Sequence, residues 1–188
     1  MRTSRTLLTT SSALAALLLL AGCANTDTPA ADAAHNDADV MFAAMMIPHH
    51  EQAIEMSDLV LNAGEIDPAV ATLAQQIKDS QGPEIETLRG WLEEWGVPYD
   101  DSMSGMDGMD MGGGMMSEDD MAALDAATGV EATRLFLNGM IAHHEGAVTM
   151  AQSVLTDGQN TDVAALAQQI IDGQTAEITT MQDILASL

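Results

Sequence analysis

The sequence predicts an all-α protein, a four-helix bundle built from two repeated helical hairpins. Three observations carry this prediction. Alanine, leucine and methionine are abundant while aromatic residues make up 3% of the 188-residue chain, a composition typical of helical domains. Apolar residues recur at three- and four-residue intervals over long stretches. The two halves of the chain also carry the same sequence elements in the same order.

Helix start and stop signals divide the chain into its elements. Asp67-Pro68 is an N-cap followed by proline at the first helical position, and Ser117 precedes three acidic residues in another first turn. Gly82-Pro83 is expected to interrupt and kink its helix. The predicted helices cover about 37–62, 68–95, a short segment from 117 to about 129, 130–156, and 161 to the end.

The repeat is read directly from the residues. Phe42–Met56 aligns with Phe136–Met150 at an offset of 94, and both segments contain a Met-Ile-x-His-His-Glu element. Further matches at an offset of 93 join Leu73–Ile77 to Leu166–Ile170, and Glu84-Ile85 to Glu177-Ile178. We therefore assign a bundle to residues 37–188, with repeat one at 38–95, a Met/Gly/Asp-rich loop at 99–116 and repeat two at 130–188.

The N-terminal residues are predicted to direct export. Arg2 and Arg5 precede a short apolar stretch ending in Leu20-Ala21-Gly22-Cys23, which is typical of a signal peptide over residues 1–22. The segment resembles a bacterial lipobox, in which Cys23 is lipidated and anchors the protein to a membrane. Residues 23–36 are expected to form a flexible tether. The alternative is an ordinary signal peptide that leaves Cys23 as a stray thiol.

The net charge of the chain restricts the classes of partner that it is expected to bind. Without residues 1–22, three basic residues remain against 29 acidic ones. Nucleic acid binding requires a basic footprint, so this balance argues against it. Acidic proteins attract cations and cationic partners, although solubility alone also explains much of such a charge.

The repeated histidines are predicted to point inward. At helical spacing, one stripe of each helix contains a histidine and otherwise apolar residues, which marks the core-facing side. The stripes are Phe42, Met46, His49, Ala53, Met56, Val60 and Phe136, Met140, His143, Ala147, Met150, Val154. His50 and His144 fall on the flank of the same inner half, whereas Glu51 and Glu145 are expected to face water. Buried imidazoles need polar partners or a ligand.

The methionines around these histidines favour a soft metal. Met46 and Met140 precede a histidine by one turn, and Met56 and Met150 follow it by two turns. Imidazole with thioether suits copper, whereas zinc prefers cysteine, histidine and carboxylate, and calcium or magnesium would favour inward carboxylates. Core filling is the alternative role for methionine at this spacing.

A second group of methionines lies in the predicted loop, where we see no core for them to fill. They are Met103, Met106, Met109, Met111, Met115 and Met116. Capture of a soft cation explains them; an oxidation-tolerant linker or a surface that adheres to a partner is the alternative.

The paired Met-Ile-x-His-His-Glu elements, with the repeated Ala-Gln-Gln-Ile and Glu-Ile segments, are similar to the DUF305 family over about residues 38–188. The resemblance implies an exported, ferritin-like four-helix bundle, and some family members bind copper in the periplasm. Pro48 stands where the second copy has Ala142, so the two half-sites are expected to differ.

Together these observations predict a membrane-anchored copper-binding lipoprotein facing the periplasm or the cell exterior. It would sequester copper, as Cu(I) or Cu(II), or hand it to a copper-handling partner protein. Its core ligands would be His49, His50, His143, His144, Met46, Met56, Met140 and Met150. The rivals are a ferritin-like redox enzyme using the same histidines and a metal-free structural or interaction lipoprotein.

Overall fold

The computed structural model describes residues 34–99 and 113–188, which belong to one compact unit, Asp32–Leu188. The described residues form helices and contain no β-strand. The helices are α1 (Asp37–Asn62), α2 (Pro68–Glu94), α3 (Glu118–Ala126), α4 (Gly129–Asp157) and α5 (Thr161–Ser187). Among the described residues, no helix has the length and apolar character needed to cross a membrane. The predicted signal peptide, Cys23 and four of the loop methionines (Met103, Met106, Met109 and Met111) lie outside the described residues.

Local capping chemistry sets the helix ends. The side chain of Asn36 accepts hydrogen bonds from the backbone N–H groups of Ala38 and Asp39, which closes the first turn of α1. Asp67, Ser117 and Asn160 cap α2, α3 and α5 in the same way. The predicted boundaries of the four long helices are confirmed to within one residue, whereas α3 ends three residues before the predicted position.

The structure corrects two expectations, one before α1 and one inside α2. The end of the predicted tether is packed, because His35 stacks on Trp95 with ring centroids 4.5 Å apart and Asn36 belongs to the α1 cap. α2 also continues through Gly82-Pro83 without a break. A proline removes a single backbone hydrogen bond, and the buried side chains of Ile85 and Leu88 beyond it keep the helix against the core.

The long helices pack as two hairpins joined through their first members. α1 pairs with α2 and α4 with α5, while α1 also packs along α4 and the second members of the hairpins touch only slightly. α1 and α4 run antiparallel, since Asn36 Nδ2 donates to Asp157 O at one end and Gly129 N donates to Ala63 O at the other. The fold is thus a four-helix bundle, with α3 lying in the connection between its halves.

Asp39 holds the start of α1 against the turn between α4 and α5. Its carboxylate is fully buried and accepts hydrogen bonds from the backbone N–H groups of Asn36 (2.9 Å), Gln159 (3.0 Å) and Asn160 (3.2 Å). Thr133 occupies the equivalent position of the second repeat and, with its buried hydroxyl unpaired, makes no such link. The carboxylate therefore stabilises one end of the bundle only.

Asp39→Ala is expected to lower the free energy of unfolding by about 3 kcal/mol, because it leaves several buried or half-buried N–H groups without an acceptor. Urea denaturation measures this change. Asp37→Ala is the control, since Asp37 is an exposed acid of the same first turn and should cost less than about 1 kcal/mol. Equal losses in the two variants would contradict the role assigned to Asp39.

Candidate metal centre

The two histidine pairs meet in the middle of the bundle, which the sequence left open. α1 and α4 present His49 and His143 to each other, and their imidazole ring centroids lie 3.7 Å apart with the planes tilted by 42°. The side chains are almost completely buried, at 1% and 0% exposure. The inward orientation predicted from the stripe is confirmed for both residues, as it is for His50 and His144.

Several nitrogens of the facing rings have no hydrogen-bond partner among residues 34–99 and 113–188. His49 Nδ1 and both ring nitrogens of His143 make no hydrogen bond, and His49 Nε2 lies 3.4 Å from the carbonyl oxygen of Gly113. Leaving a buried polar atom unsatisfied costs about 1–3 kcal/mol. Such atoms in a core are uncommon and require an explanation, and a bound cation is one that fits imidazole lone pairs.

Burial keeps the facing imidazoles neutral at ordinary pH. It lowers the pKa of His49 to about 3, with a further contribution from the neighbouring His50. Burial also holds the pKa of His143 well below its usual 6.5, and His49 and His144 add to the effect. A neutral imidazole carries one nitrogen lone pair, so each ring can donate to a metal without first losing a proton.

The second histidine of each pair is fixed by a carboxylate. His50 Nε2 donates to Glu84 Oε2 and His144 Nε2 donates to Glu177 Oε2, both at 2.7 Å. Because a carboxylate accepts, the hydrogen sits on Nε2 and the buried, unpartnered Nδ1 of each ring carries the lone pair in the neutral tautomer. Carboxylates that hold imidazoles in this way are typical of metal sites.

We did not predict a role for Glu84 and Glu177. The available signal was the repeated Glu-Ile segment, which we used only to establish the duplication. These glutamates lie on α2 and α5, whereas the repeated Glu51 and Glu145 lie on the outer side of α1 and α4. The prediction that both glutamates face water is confirmed for Glu145, which is exposed, whereas Glu51 is half-buried and its Oε1 atom accepts from Arg89 Nη2 at 2.6 Å.

The four predicted methionine ligands are all buried, at 7% exposure or less. They separate into two pairs, one on each side of the histidines along the helices. Met46 and Met150 belong to one apolar cluster, and Met56 and Met140 belong to the other. Met150 also lines an apolar surface groove of about 260 Å³ together with Met41 and Met45. This placement is compatible with thioether ligation and equally with core packing.

The end of the methionine-rich loop returns to the bundle beside the imidazoles. Gln52 and Met116 are joined by two hydrogen bonds, from Gln52 Nε2 to Met116 O (2.9 Å) and from Met116 N to Gln52 Oε1 (2.8 Å). Gly114 has a φ of +84° and lies so close to α4 that an added Cβ would stand 2.2 Å from Ala142 O. Glycine is therefore required there.

The described part of the loop corrects one expectation. We predicted that the loop methionines have no core to fill, but Met116 is half-buried and packs against the cluster that contains Met56 and Met140. The Sδ atom of Met116 lies beside Gly139, and a Cβ atom added to Gly139 would be 2.6 Å from this sulfur. Met115 is half-buried as well. Met116 thus has an apolar role that needs no metal.

The donor types at the centre restrict its chemistry. Within residues 34–99 and 113–188, no group of three or more His, Cys, Asp or Glu side chains is arranged to hold a metal ion. Metal centres of the carboxylate-bridged or cysteine-rich kinds need such a group. The donors that the core does offer are imidazole nitrogens and, nearby, thioethers.

Fold and site together define a class: a bundle of two repeated helical hairpins with a buried pair of facing imidazoles at the contact between the repeats. The chain belongs to the DUF305 family, since the family model, described as "Domain of unknown function (DUF305)", matches residues 39–185. No curated protein matches the chain.

Solved structures agree with this assignment. A DUF305 fragment from Deinococcus radiodurans is 32% identical with a TM-score of 0.70, covering 81% of this chain and 98% of its own. A Streptomyces coelicolor protein described as "putative secreted protein DUF305" is 32% identical with a TM-score of 0.69, covering 84% of this chain and 95% of its own. CopM in its Cu(II)-bound form is 33% identical with a TM-score of 0.68, covering 79% of this chain and 96% of its own. CopM has also been solved in Cu(I)-bound, Ag-bound and apo forms.

Proposed function

We propose that this protein binds copper ions at the centre formed by His49 and His143, and that it sequesters copper or hands it on outside the cytoplasm. The observation that carries the proposal is the close contact of these two buried imidazoles, with ring nitrogens that have no partner in the described part of the chain. His50 and His144, whose Nδ1 atoms Glu84 and Glu177 leave free, would add these atoms after a side-chain rearrangement, because no three described His, Cys, Asp or Glu side chains are arranged around one ion.

The choice of copper follows from the donors. Neutral imidazoles bind copper in both common oxidation states, and thioethers favour the soft Cu(I) ion. Met46, Met56, Met140 and Met150 are buried along the same helix faces and would supply those thioethers. The similar protein CopM, solved with Cu(I), Cu(II) and silver, supports the same metal class.

Two parts of the proposal rest on the sequence outside the described residues. Signal-like residues 1–22 and the lipobox-like Cys23 would place the bundle outside the cytoplasm on a lipid anchor, and one similar structure is of a secreted protein. Met103, Met106, Met109 and Met111, with Met115, would capture ions close to the centre, because their loop ends beside His49.

A metal-free role would require the histidines to be satisfied within the protein. His50 and His144 are partly satisfied by their glutamates, but the facing rings of His49 and His143 keep unpartnered nitrogens. A redox enzyme that uses the same histidines would instead turn over a substrate, and an activity assay on the same purified protein tests this alternative. Copper binding accounts for more of the buried polar atoms than the metal-free alternative does.

The test is a competition titration of residues 24–188 with Cu(I) and Cu(II) against a chelator of known affinity. Changing His49, His50, His143 and His144 together to alanine should weaken copper binding at the core at least about 100-fold. His35→Ala is the matched control, because His35 is the remaining histidine and stacks on Trp95 outside the core. Helix content by circular dichroism verifies that each variant is folded.

A third variant carries leucine at all six loop methionines. Equal copper binding by wild type and the four-histidine variant would overturn the core site. Loss of binding only in the leucine variant would assign the copper to the loop instead of the bundle.

A further inference from the structure

A second polar site lies on the opposite side of the histidine–glutamate pairs, between α2 and α5. The cleft there has a volume of about 80 Å³. Its lining includes Gln81 and Glu84 from α2, with Gln174 and Glu177 from α5. Each pair is related by the repeat at an offset of 93, so both halves of the chain supply the same Gln-x-x-Glu element to one cleft.

The glutamines of this cleft are unusual. Gln81 is 2% exposed and Gln174 is 5% exposed, so both side chains are more than nine-tenths buried. Among the described residues 34–99 and 113–188, both amide atoms of Gln81 and the Oε1 atom of Gln174 have no hydrogen-bond partner. A buried amide oxygen without a partner is unfavourable, yet both copies of the repeat carry one at this position. A bound ligand in the cleft would recover that cost.

The glutamates supply charge to the same place. One oxygen of Glu84 and one oxygen of Glu177 accept from the imidazoles behind them, and each side chain keeps 22% of its surface exposed. Their remaining carboxylate oxygens are therefore available to a ligand. Two carboxylates and two amide oxygens in a small cleft form a ligand set composed only of oxygen.

We propose that this cleft binds one hydrated divalent cation of the hard class, to which magnesium, calcium and manganese belong. Such ions take oxygen ligands, and magnesium in particular is held by one or two carboxylates while keeping several waters. The volume leaves room for an ion with part of its water shell. This site differs in donor chemistry from the imidazole centre and does not depend on copper binding there.

The test uses Mn²⁺ as the probe, with the full chain carrying Cys23→Ser at about 0.15 M salt to suppress loose binding by the acidic surface. The signal of free Mn²⁺ in electron paramagnetic resonance counts bound ions and gives their affinity. Wild type should bind one Mn²⁺ per chain more tightly than any others, and Mg²⁺ or Ca²⁺ should displace it.

Gln81→Leu with Gln174→Leu is the decisive variant, because it removes the amide oxygens and leaves both histidine–glutamate pairs in place. It should weaken the tight Mn²⁺ site at least about tenfold. Gln75→Leu with Gln168→Leu is the matched control. These glutamines are also repeated on α2 and α5 but are exposed and donate to Asp79 and Asp172, so the affinity should stay within about twofold.

Two further variants separate this proposal from the copper site. Glu84→Gln with Glu177→Gln should also weaken Mn²⁺ binding, whereas His49→Ala with His143→Ala should leave it intact even if copper binding is lost or never observed. Unchanged Mn²⁺ binding in the Gln81/Gln174 variant, or absence of a tight Mn²⁺ site in wild type, would overturn the proposal. Failure of the copper titration alone would leave it standing.

Discussion

Changing Glu84 and Glu177 together to glutamine is expected to lower the copper affinity of the imidazole centre about 10- to 100-fold. Each carboxylate accepts a hydrogen bond at 2.7 Å from the Nε2 atom of its histidine and so directs the Nδ1 lone pair into the core. A glutamine of the same shape offers an amide that can donate or accept, so it no longer fixes the tautomer. The loss of negative charge also makes the imidazole a weaker donor.

The chain contains a matched control for this prediction. Glu51 and Glu145 are also repeated glutamates, and each directly follows a histidine pair in sequence, but they lie on the outer side of their helices. Glu51→Gln with Glu145→Gln removes the same charge and should change copper affinity less than about threefold. Chelator competition measures both variants. Similar losses in the two would mean that overall charge, and not the histidine contact, governs the affinity.

The second large effect is acid destabilisation of the metal-free protein. The folded state holds the pKa of His49 at about 3, whereas an unfolded chain has the usual 6.5. Between these pH values the unfolded state binds a proton that the folded state does not. The free energy of unfolding therefore has its full value above pH 6.5 and decreases as the pH is lowered towards 3. Across this whole pH range, His49 lowers the free energy of unfolding by on the order of 5 kcal/mol.

His143 acts in the same direction, because burial lowers its pKa as well. Urea denaturation at a series of pH values from about 7 to 5 should give a slope that steepens towards about 1.4 kcal/mol per pH unit for each of the two histidines as the pH falls below about 6. In His49→Phe with His143→Phe this slope should be much smaller. Identical slopes in wild type and variant would contradict the assignment of the acid sensitivity to these rings.

The sequence predicted the helices well because their signals are local. Capping residues and apolar spacing act within a few residues, so the ends of α1 and the inward orientation of His49 and His143 followed directly. Duplication added a second, independent copy of each signal. The predicted interruption of α2 at Gly82-Pro83 was wrong because the intrinsic cost of a proline is local. The packing of Ile85 and Leu88 that offsets this cost involves other helices.

The features that escaped prediction all depend on contacts between distant parts of the chain. The meeting of His49 with His143 requires that α1 lie antiparallel to α4, and a connection of some 30 residues permits other arrangements. Glu84 became recognisable as the partner of His50 only once α2 was folded back on α1. The packing of Met116 also required the loop to return to Gln52. Periodicity along one helix carries no information on any of these contacts.

The antiparallel contact of α1 with α4 makes the interior of this single chain resemble the isologous interface of a symmetric dimer. An approximate two-fold axis passes between His49 and His143, so an ion on that axis would meet an imidazole from each side. Because the two halves belong to one chain, their residues away from the axis need not be identical. Asp39 against Thr133 and Gln52 against Gly146 are differences that a true dimer could not encode. The first half can therefore anchor the loop through Gln52, while the two histidines at the axis stay matched.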